Sequence, residues 1–298
     1  MRHLSKGMLM LAGAVLLLIG GCTATTPRWP AISELPTDVR LQGRWVWVDL
    51  IADNVDIEKR FYGEVFGWQY ETYGTGKDAY TLIRVDGRPI AGIVPYDKPA
   101  DADRSARWLA FMSVPDLDRA ADQATASGGR VLVPPKHLAG RGAVAVLQDR
   151  EGAIFGVIHA TGGDPPDVLP SNNTWLWIEL WAKDRSLMAD FYRPIGAYTI
   201  ERQEDIGDRP EIRLVAGGYP RAAVLELERK DLPSTWLPYI RVEDLRQTLA
   251  RIELAGGSVV VPPSPKVRNG KVAVFLDPLG AALAVAQWTD EKDAEDKP

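Results

Sequence analysis

The chain has 298 residues, 46% of them hydrophobic and 25% charged, with a formal net charge of −5. That is enough chain for two domains of common size. The absence of a basic stripe argues against a nucleic-acid partner, and a single cysteine excludes an intramolecular disulfide.

The N-terminus reads as an address. Arg2 and Lys6 give a short positive region, and Gly7 to Gly21 carries no charge. The run is too short for a membrane span, which needs about 20 apolar residues, and fits a signal-peptide core. It ends Leu18-Ile19-Gly20-Gly21-Cys22, which resembles the lipobox of bacterial lipoproteins. The small residues let a peptidase approach the backbone, and the Cys22 thiol is the acylation site. A lone cysteine in an exported chain is otherwise an unpaired thiol in an oxidising compartment. The expectation is removal of residues 1–21 and a cell-envelope protein held at a membrane by lipid on Cys22. Thr23, in place of aspartate, resembles sorting to the outer membrane of a cell that has two. Residues 22–42, with Pro27, Pro30 and Pro36, read as a tether.

The body starts with an alternating strand at 44–51, followed by an amphipathic helix at 55–66 with Ile57, Phe61, Val65 and Phe66 on one side. Strands are predicted near 69–74, 79–85 and 90–95, and GTGKD (74–78) reads as a hairpin turn rather than part of a phosphate loop. A second strand at 107–114 leads to a helix at 116–127, ended by Gly128-Gly129, and to strands near 130–133, 143–148 and 153–159.

Residues 162–172 read as a linker, and then the pattern returns. WVWVDLIADNVDIEKRFY (45–62) reappears as WLWIELWAKDRSLMADFY (175–192), 130 residues on. The segments 107–135 and 142–160 reappear 128 residues on, at 235–263 and 270–288. The predicted organisation is two homologous domains, 43–161 and 173–290, with a charged tail at 291–298. Each domain is a pair of βαβββ units, an α+β fold.

That order, with FYGEVFGW (61–68), the V-x-DLD-x-A helix start (114–120), GG-x-V-x-VPP and D-x-x-G-A-x-F (149–155), resembles the vicinal oxygen chelate superfamily. Its members include glyoxalase I, bleomycin- and fosfomycin-resistance proteins and extradiol dioxygenases. The resemblance implies a curved sheet around a cleft that binds a metal and a small substrate. Counted from the FY pair or the helix-starting Asp, the implied ligand positions fall on Trp47, Leu109 and Gly156 in the first domain and on Trp177, Leu237 and Ala284 in the second. None of these side chains ligates a divalent metal, which needs about three convergent N, O or S ligands. His3 leaves with the signal; His137 and His159 read as solvated or structurally satisfied histidines. No metal and no cofactor are expected.

Strand parity says what lines the clefts instead. Trp45, Trp47 and Asp49 share one face, as do Trp175, Trp177, Glu179 and Trp181, with the aliphatic residues between them facing the helices. Leu109, Phe111 and Ser113 join the first set; Leu237, Tyr239 and Arg241 join the second. The ligand-binding candidates are therefore Trp47, Asp49, Phe111, Trp177, Glu179, Tyr239 and Arg241.

Three readings stay open. The tryptophans are packing and the acids are satisfied by backbone or arginine, which suits a structural or protein-interaction module. Alternatively, each groove holds a flat or apolar small molecule, with Asp49 or Glu179 taking a donor or cation. The third reading is an enzyme of the lyase or dioxygenase type, metal-dependent or metal-free. In its metal-free form a carboxylate pressed against indole, Asp49 or Glu179, works as general acid or base.

Overall fold

A computed structural model describes residues 29–98, 105–203 and 210–288; the Cys22 lipobox and the tail 291–298 lie outside them. The first βαβββ unit is β1 (Trp45–Ala52), α1 (Val55–Phe66), β2 (Gln69–Tyr73), β3 (Tyr80–Val85) and β4 (Arg88–Pro95). The second is β5 (Ala106–Ser113), α2 (Leu117–Ala126), β6 (Arg130–Leu138), β7 (Gly142–Gln148) and β8 (Ile154–Ala160). The repeat supplies β9 (Trp175–Ala182), α3 (Arg185–Gly196), β10 (Thr199–Gln203), β11 (Glu211–Ala216) and β12 (Tyr219–Glu226). It ends with β13 (Thr235–Val242), α4 (Leu245–Leu254), β14 (Ser258–Val261), β15 (Val272–Leu276) and β16 (Ala282–Gln287).

Each helix starts the same way. Asn54, Asp116, Asp184 and Asp244 sit in extended backbone, and their side chains accept from the amide three residues on, which satisfies one of the orphan donors of the first turn. α1 stops at Gly67 in the left-handed region (φ 70°), and α3 stops at the matching Ala197 (φ 51°), where a side chain is strained.

The strands form two eight-stranded mixed sheets, β2-β3-β4-β1-β5-β8-β7-β6 and β10-β11-β12-β9-β13-β16-β15-β14. At each centre two strands run antiparallel, β1 with β5 and β9 with β13, and each pairs in parallel with the last strand of its own unit. This is the α+β architecture the sequence predicts.

The helices lie between the sheets. α1 packs on α4 and α2 on α3, so one apolar core runs through both domains. Val48, Leu50, Ile178 and Leu180, the aliphatic faces of β1 and β9, point into it. The opposite faces carry separate clusters, so each domain has its own hollow.

Two expectations need correction. Trp45 and Trp175 do not share a face with Trp47 and Trp177. A bulge lies between Trp45 and Trp47, opposite Met112 and Phe111, and its counterpart on β9 lies between Trp175 and Trp177, opposite Ile240 and Tyr239. One extra residue reverses parity. Trp45 therefore turns into the interdomain core, 4.2 Å from Trp236 between ring centroids, and Trp175 lies 5.2 Å from Trp108. Val46 and Leu176 turn into the hollows instead.

Nor is 22–42 a free tether over its length. Ile32 is 1% exposed, and Arg40 donates to the Ala160 carbonyl through Nε (3.1 Å) and Nη2 (2.8 Å). Leu41 N donates to Asp164 at 2.7 Å. The chain from Trp29 onward is part of the first domain, because Trp29 and Ile32 have an apolar surface to cover. The linker is anchored too: Asp164 also accepts from Ser113 Oγ at 2.9 Å, and Arg44 bonds the Pro166 carbonyl at 2.9 Å.

Candidate functional site

In the first hollow Asp49 is 4% exposed and fully engaged. It accepts from Trp47 Nε1 (2.8 Å), the Tyr80 hydroxyl (2.6 Å) and Arg141 Nη1 (3.2 Å). Tyr80 reaches Asp49 because the residue level with Asp49 on β4 is Gly92; a Cβ there would stand 1.7 Å from the Tyr80 oxygen. Arg141 comes from the β6–β7 turn and is buried. Its guanidinium carbon lies 4.4 Å from the ring centroid of Tyr80, 5.1 Å from Trp47 and 5.2 Å from Trp29. Arg141 Nε donates to the Pro30 carbonyl at 3.2 Å. The chain's own cation thus sits in an aromatic cage with one carboxylate. The N-terminal strap, Trp29 to Ile32, closes it. What space remains is a cavity of about 40 Å³ beside Leu109, Phe111 and Val146. Pockets for drug-sized ligands are roughly 300–1,000 Å³.

The second hollow has the same acid and a different closure. Glu179 is 1% exposed and accepts from the Tyr239 hydroxyl, from Trp181 Nε1 (3.2 Å) and from Arg268 Nη2 (2.6 Å). Small and aliphatic residues, Val272, Val274, Ala284 and Ala286, line the neighbouring strands. The Arg268 side chain is 41% exposed and lies 3.4 Å from Glu211 as well. It stands on a turn in which Arg268 (φ 45°) and Asn269 (φ 55°) both adopt left-handed backbone. The segment before β9 makes no strap like 29–32: Pro170 O accepts from Arg241, and Asn173 O accepts from Trp68 across the domain boundary. Trp177 and Trp181 are accordingly part-exposed, whereas Trp47 is 3% exposed.

Of the candidates, Trp47, Asp49 and Phe111 meet in the first hollow, and Trp177, Glu179 and Tyr239 in the second. Arg241 does not join them. Leu237 is level with Glu179 on the neighbouring strand, and Arg241 lies four residues further, about 13 Å along it. Its Nη1 bonds the Pro170 carbonyl at 2.9 Å, which ties the linker to β13.

The metal that the fold implies finds no fit. The sheet register sets Trp47, Phe111 and Gly156 in one row and Trp177, Tyr239 and Ala284 in the other. Leu109 is level with Asp49, one step removed. A Cβ on Gly156 would stand 2.2 Å from the Phe111 ring, so that position has no room for a ligating side chain. The two nearby carboxylates already hold arginines. Among the described residues no three His, Cys, Asp or Glu side chains gather as a metal site. His137 is exposed, and His159 Nδ1 lies 3.3 Å from the Val114 carbonyl.

Residues 44–157 match the model of the Glyoxalase/Bleomycin resistance protein/Dioxygenase superfamily. The first domain thus carries the mark of this superfamily, the vicinal oxygen chelate proteins. A Mycobacterium tuberculosis protein named as a glyoxylase, CFP32, is 28% identical over 246 residues, which cover 82% of this chain and 94% of that protein. The anthracycline biosynthesis protein DnrV of Streptomyces peucetius is 26% identical over 258 residues, 82% of this chain and 93% of its own. The Mn(II)-bound glyoxalase from Novosphingobium aromaticivorans has a TM-score of 0.54 at 15% identity, covering 84% of this chain and 83% of that one. The 2,3-dioxygenase LapB from Pseudomonas sp. KL28 has a TM-score of 0.56 at 15% identity, over 87% and 96% of the two chains. These two likenesses show a shared fold.

Sequence reasoning missed Trp29, Tyr80, Arg141 and Arg268. A signal existed for the arginines. GRG (140–142) and RNG (268–270) precede the repeated strands, each with an arginine within two residues of the glycine. Their one-residue offset hides the equivalence in a strict alignment. Trp29 carried no such signal, since a proline-flanked tryptophan reads equally as tether.

Proposed function

We propose that this chain is a lipid-anchored envelope protein whose second domain binds a small flat or apolar molecule, while its first domain is held closed by the chain itself. The observation that carries this reading is the asymmetry of two homologous hollows. Asp49 lies sealed behind Arg141 and the Trp29 strap, while Glu179 lies under part-exposed indoles and a half-exposed arginine. Aromatic walls supply contact area and stacking, and one buried acid supplies direction. The first domain then serves chiefly as a structural partner, sharing its core with the second. No step through a metal is assigned, because the residues at the superfamily's ligand positions do not fit one.

Anchoring rests on the lipobox alone, with Cys22 as the acylated residue and the outer membrane as destination in a cell with two membranes. Membrane fractionation with labelled palmitate should find the label and the protein together in the membrane, and Cys22→Ser should lose both.

Binding is tested by ligand-dependent melting. A ligand that raises the Tm of the native chain should do so much less for Trp177→Ala, whose own unfolding stays cooperative. Equal shifts in the two proteins would remove the second hollow as the site. For the metal-dependent reading, about one equivalent of a divalent ion retained through purification would restore it.

A further inference from the structure

The first hollow displays what this constellation recognises. A carboxylate at the floor and three ring faces surround a guanidinium, with Arg141 within 5.2 Å of each ring centroid. The second hollow repeats the ingredients: a buried Glu179, two tryptophans alternating with it on β9, and Tyr239 beside it. The cation differs in how firmly it is held. Arg141 is 2% exposed and cannot leave without opening the domain. Arg268 is 41% exposed, approaches from outside and touches a second acid, Glu211. It also stands on a turn with two successive non-glycine residues in left-handed backbone, a conformation that only the surrounding contacts maintain.

We propose that the second hollow takes an organic cation, an ammonium or guanidinium carried on a flat or apolar body, and that this cation displaces Arg268 from Glu179. This rests on the reading that the second domain binds a small molecule, and names its class. The exchange is favourable because its two halves are unequal. Arg268, once displaced, keeps water and Glu211. Glu179, buried among indole and phenol, requires a positive partner, and the incoming group supplies one while its body covers Trp177 and Trp181. A neutral molecule gains the stacking but leaves Arg268 in place. An anion meets the Glu179 charge.

The test uses one ring system with three charges: 2-naphthylmethylammonium, 2-naphthylmethanol and 2-naphthoate, titrated into the mature protein by calorimetry. The ammonium should bind about tenfold tighter than the alcohol, with naphthoate weakest. Arg268→Gln, at an exposed side chain, should tighten the ammonium and leave the alcohol unchanged. Glu179→Gln should bring ammonium and alcohol to similar affinity. An alcohol or naphthoate that binds as tightly as the ammonium would overturn the cation class while leaving the hollow a binding site. Failure of all three to bind would overturn the binding reading itself.

Discussion

Tyr62, on the first helix of the first domain, donates its hydroxyl to Asp277, in the last hairpin turn of the second, at 2.8 Å. The relation is reciprocal: Tyr192 donates to Asp149 at 2.9 Å. Each tyrosine oxygen also accepts an indole N–H, from Trp108 at 2.8 Å and from Trp236 at 2.9 Å. Each aspartate also takes two amides of its own turn, Glu151 and Ala153 in one case and Leu279 and Ala281 in the other. The two domains are thus joined by a pair of buried Trp–Tyr–Asp chains within one apolar core.

Removing either hydroxyl leaves an indole N–H and a carboxylate lone pair buried without partners. Tyr62→Phe and Tyr192→Phe should each lower stability by about 1–3 kcal/mol in urea unfolding. Because the core is shared, unfolding should stay a single transition, followed alike by fluorescence and circular dichroism. Separate transitions for the two domains would contradict the shared core.

Beside Asp277 lies Glu58, buried and without an aligned hydrogen bond. Burial, and then the Asp277 carboxylate next to it, push its pKa up to about 9. Burial also raises Asp149, to about 6. A carboxyl whose folded pKa is raised binds a proton in the native state that the unfolded state has released, so stability falls as pH rises between the two values. For Glu58 that window runs from its ordinary 4.5 to about 9. The native protein should lose stability across it relative to Glu58→Gln, by at most about 1.4 kcal/mol per pH unit. Parallel stability–pH curves for the two proteins would show that Glu58 is not the cause.

The two acid–arginine pairs should respond unequally. Asp49→Asn leaves Arg141 as a buried, uncompensated charge, and should cost about 3–5 kcal/mol. Glu179→Gln leaves Arg268 half in water and beside Glu211, and should cost about 1 kcal/mol or less. Thermal melts of the two variants decide this, and equal losses would mean that the second pair is as sealed as the first.

Trp29→Ala removes the lid of the first hollow. The indole packs 4.7 Å from Tyr80 and over Arg141. A half-buried tryptophan should cost about 2 kcal/mol, below the 3–5 kcal/mol of a fully buried one. The variant should also bind one further equivalent of an apolar dye in its folded state. Unchanged dye binding would mean that the strap does not gate the hollow.

The sequence by itself determined the repeat, the four βαβββ units, the superfamily resemblance and the acid on the floor of each hollow. These rest on local periodicity and on internal self-similarity, which a single chain displays. It also put Trp47, Trp177 and Tyr239 on the faces that line the hollows, because parity holds along the strand beyond each bulge. Tertiary structure decided where parity broke. The bulges that send Trp45 and Trp175 into the core are irregularities of pairing, so they depend on the partner strand. It decided too that Arg141 and Trp29 seal one hollow while Arg268 only leans over the other. Those contacts join residues from about 50 to more than 110 positions apart. Nothing in a local pattern reports a distant side chain; only the packed chain brings a charge, its counter-charge and its rings to one place.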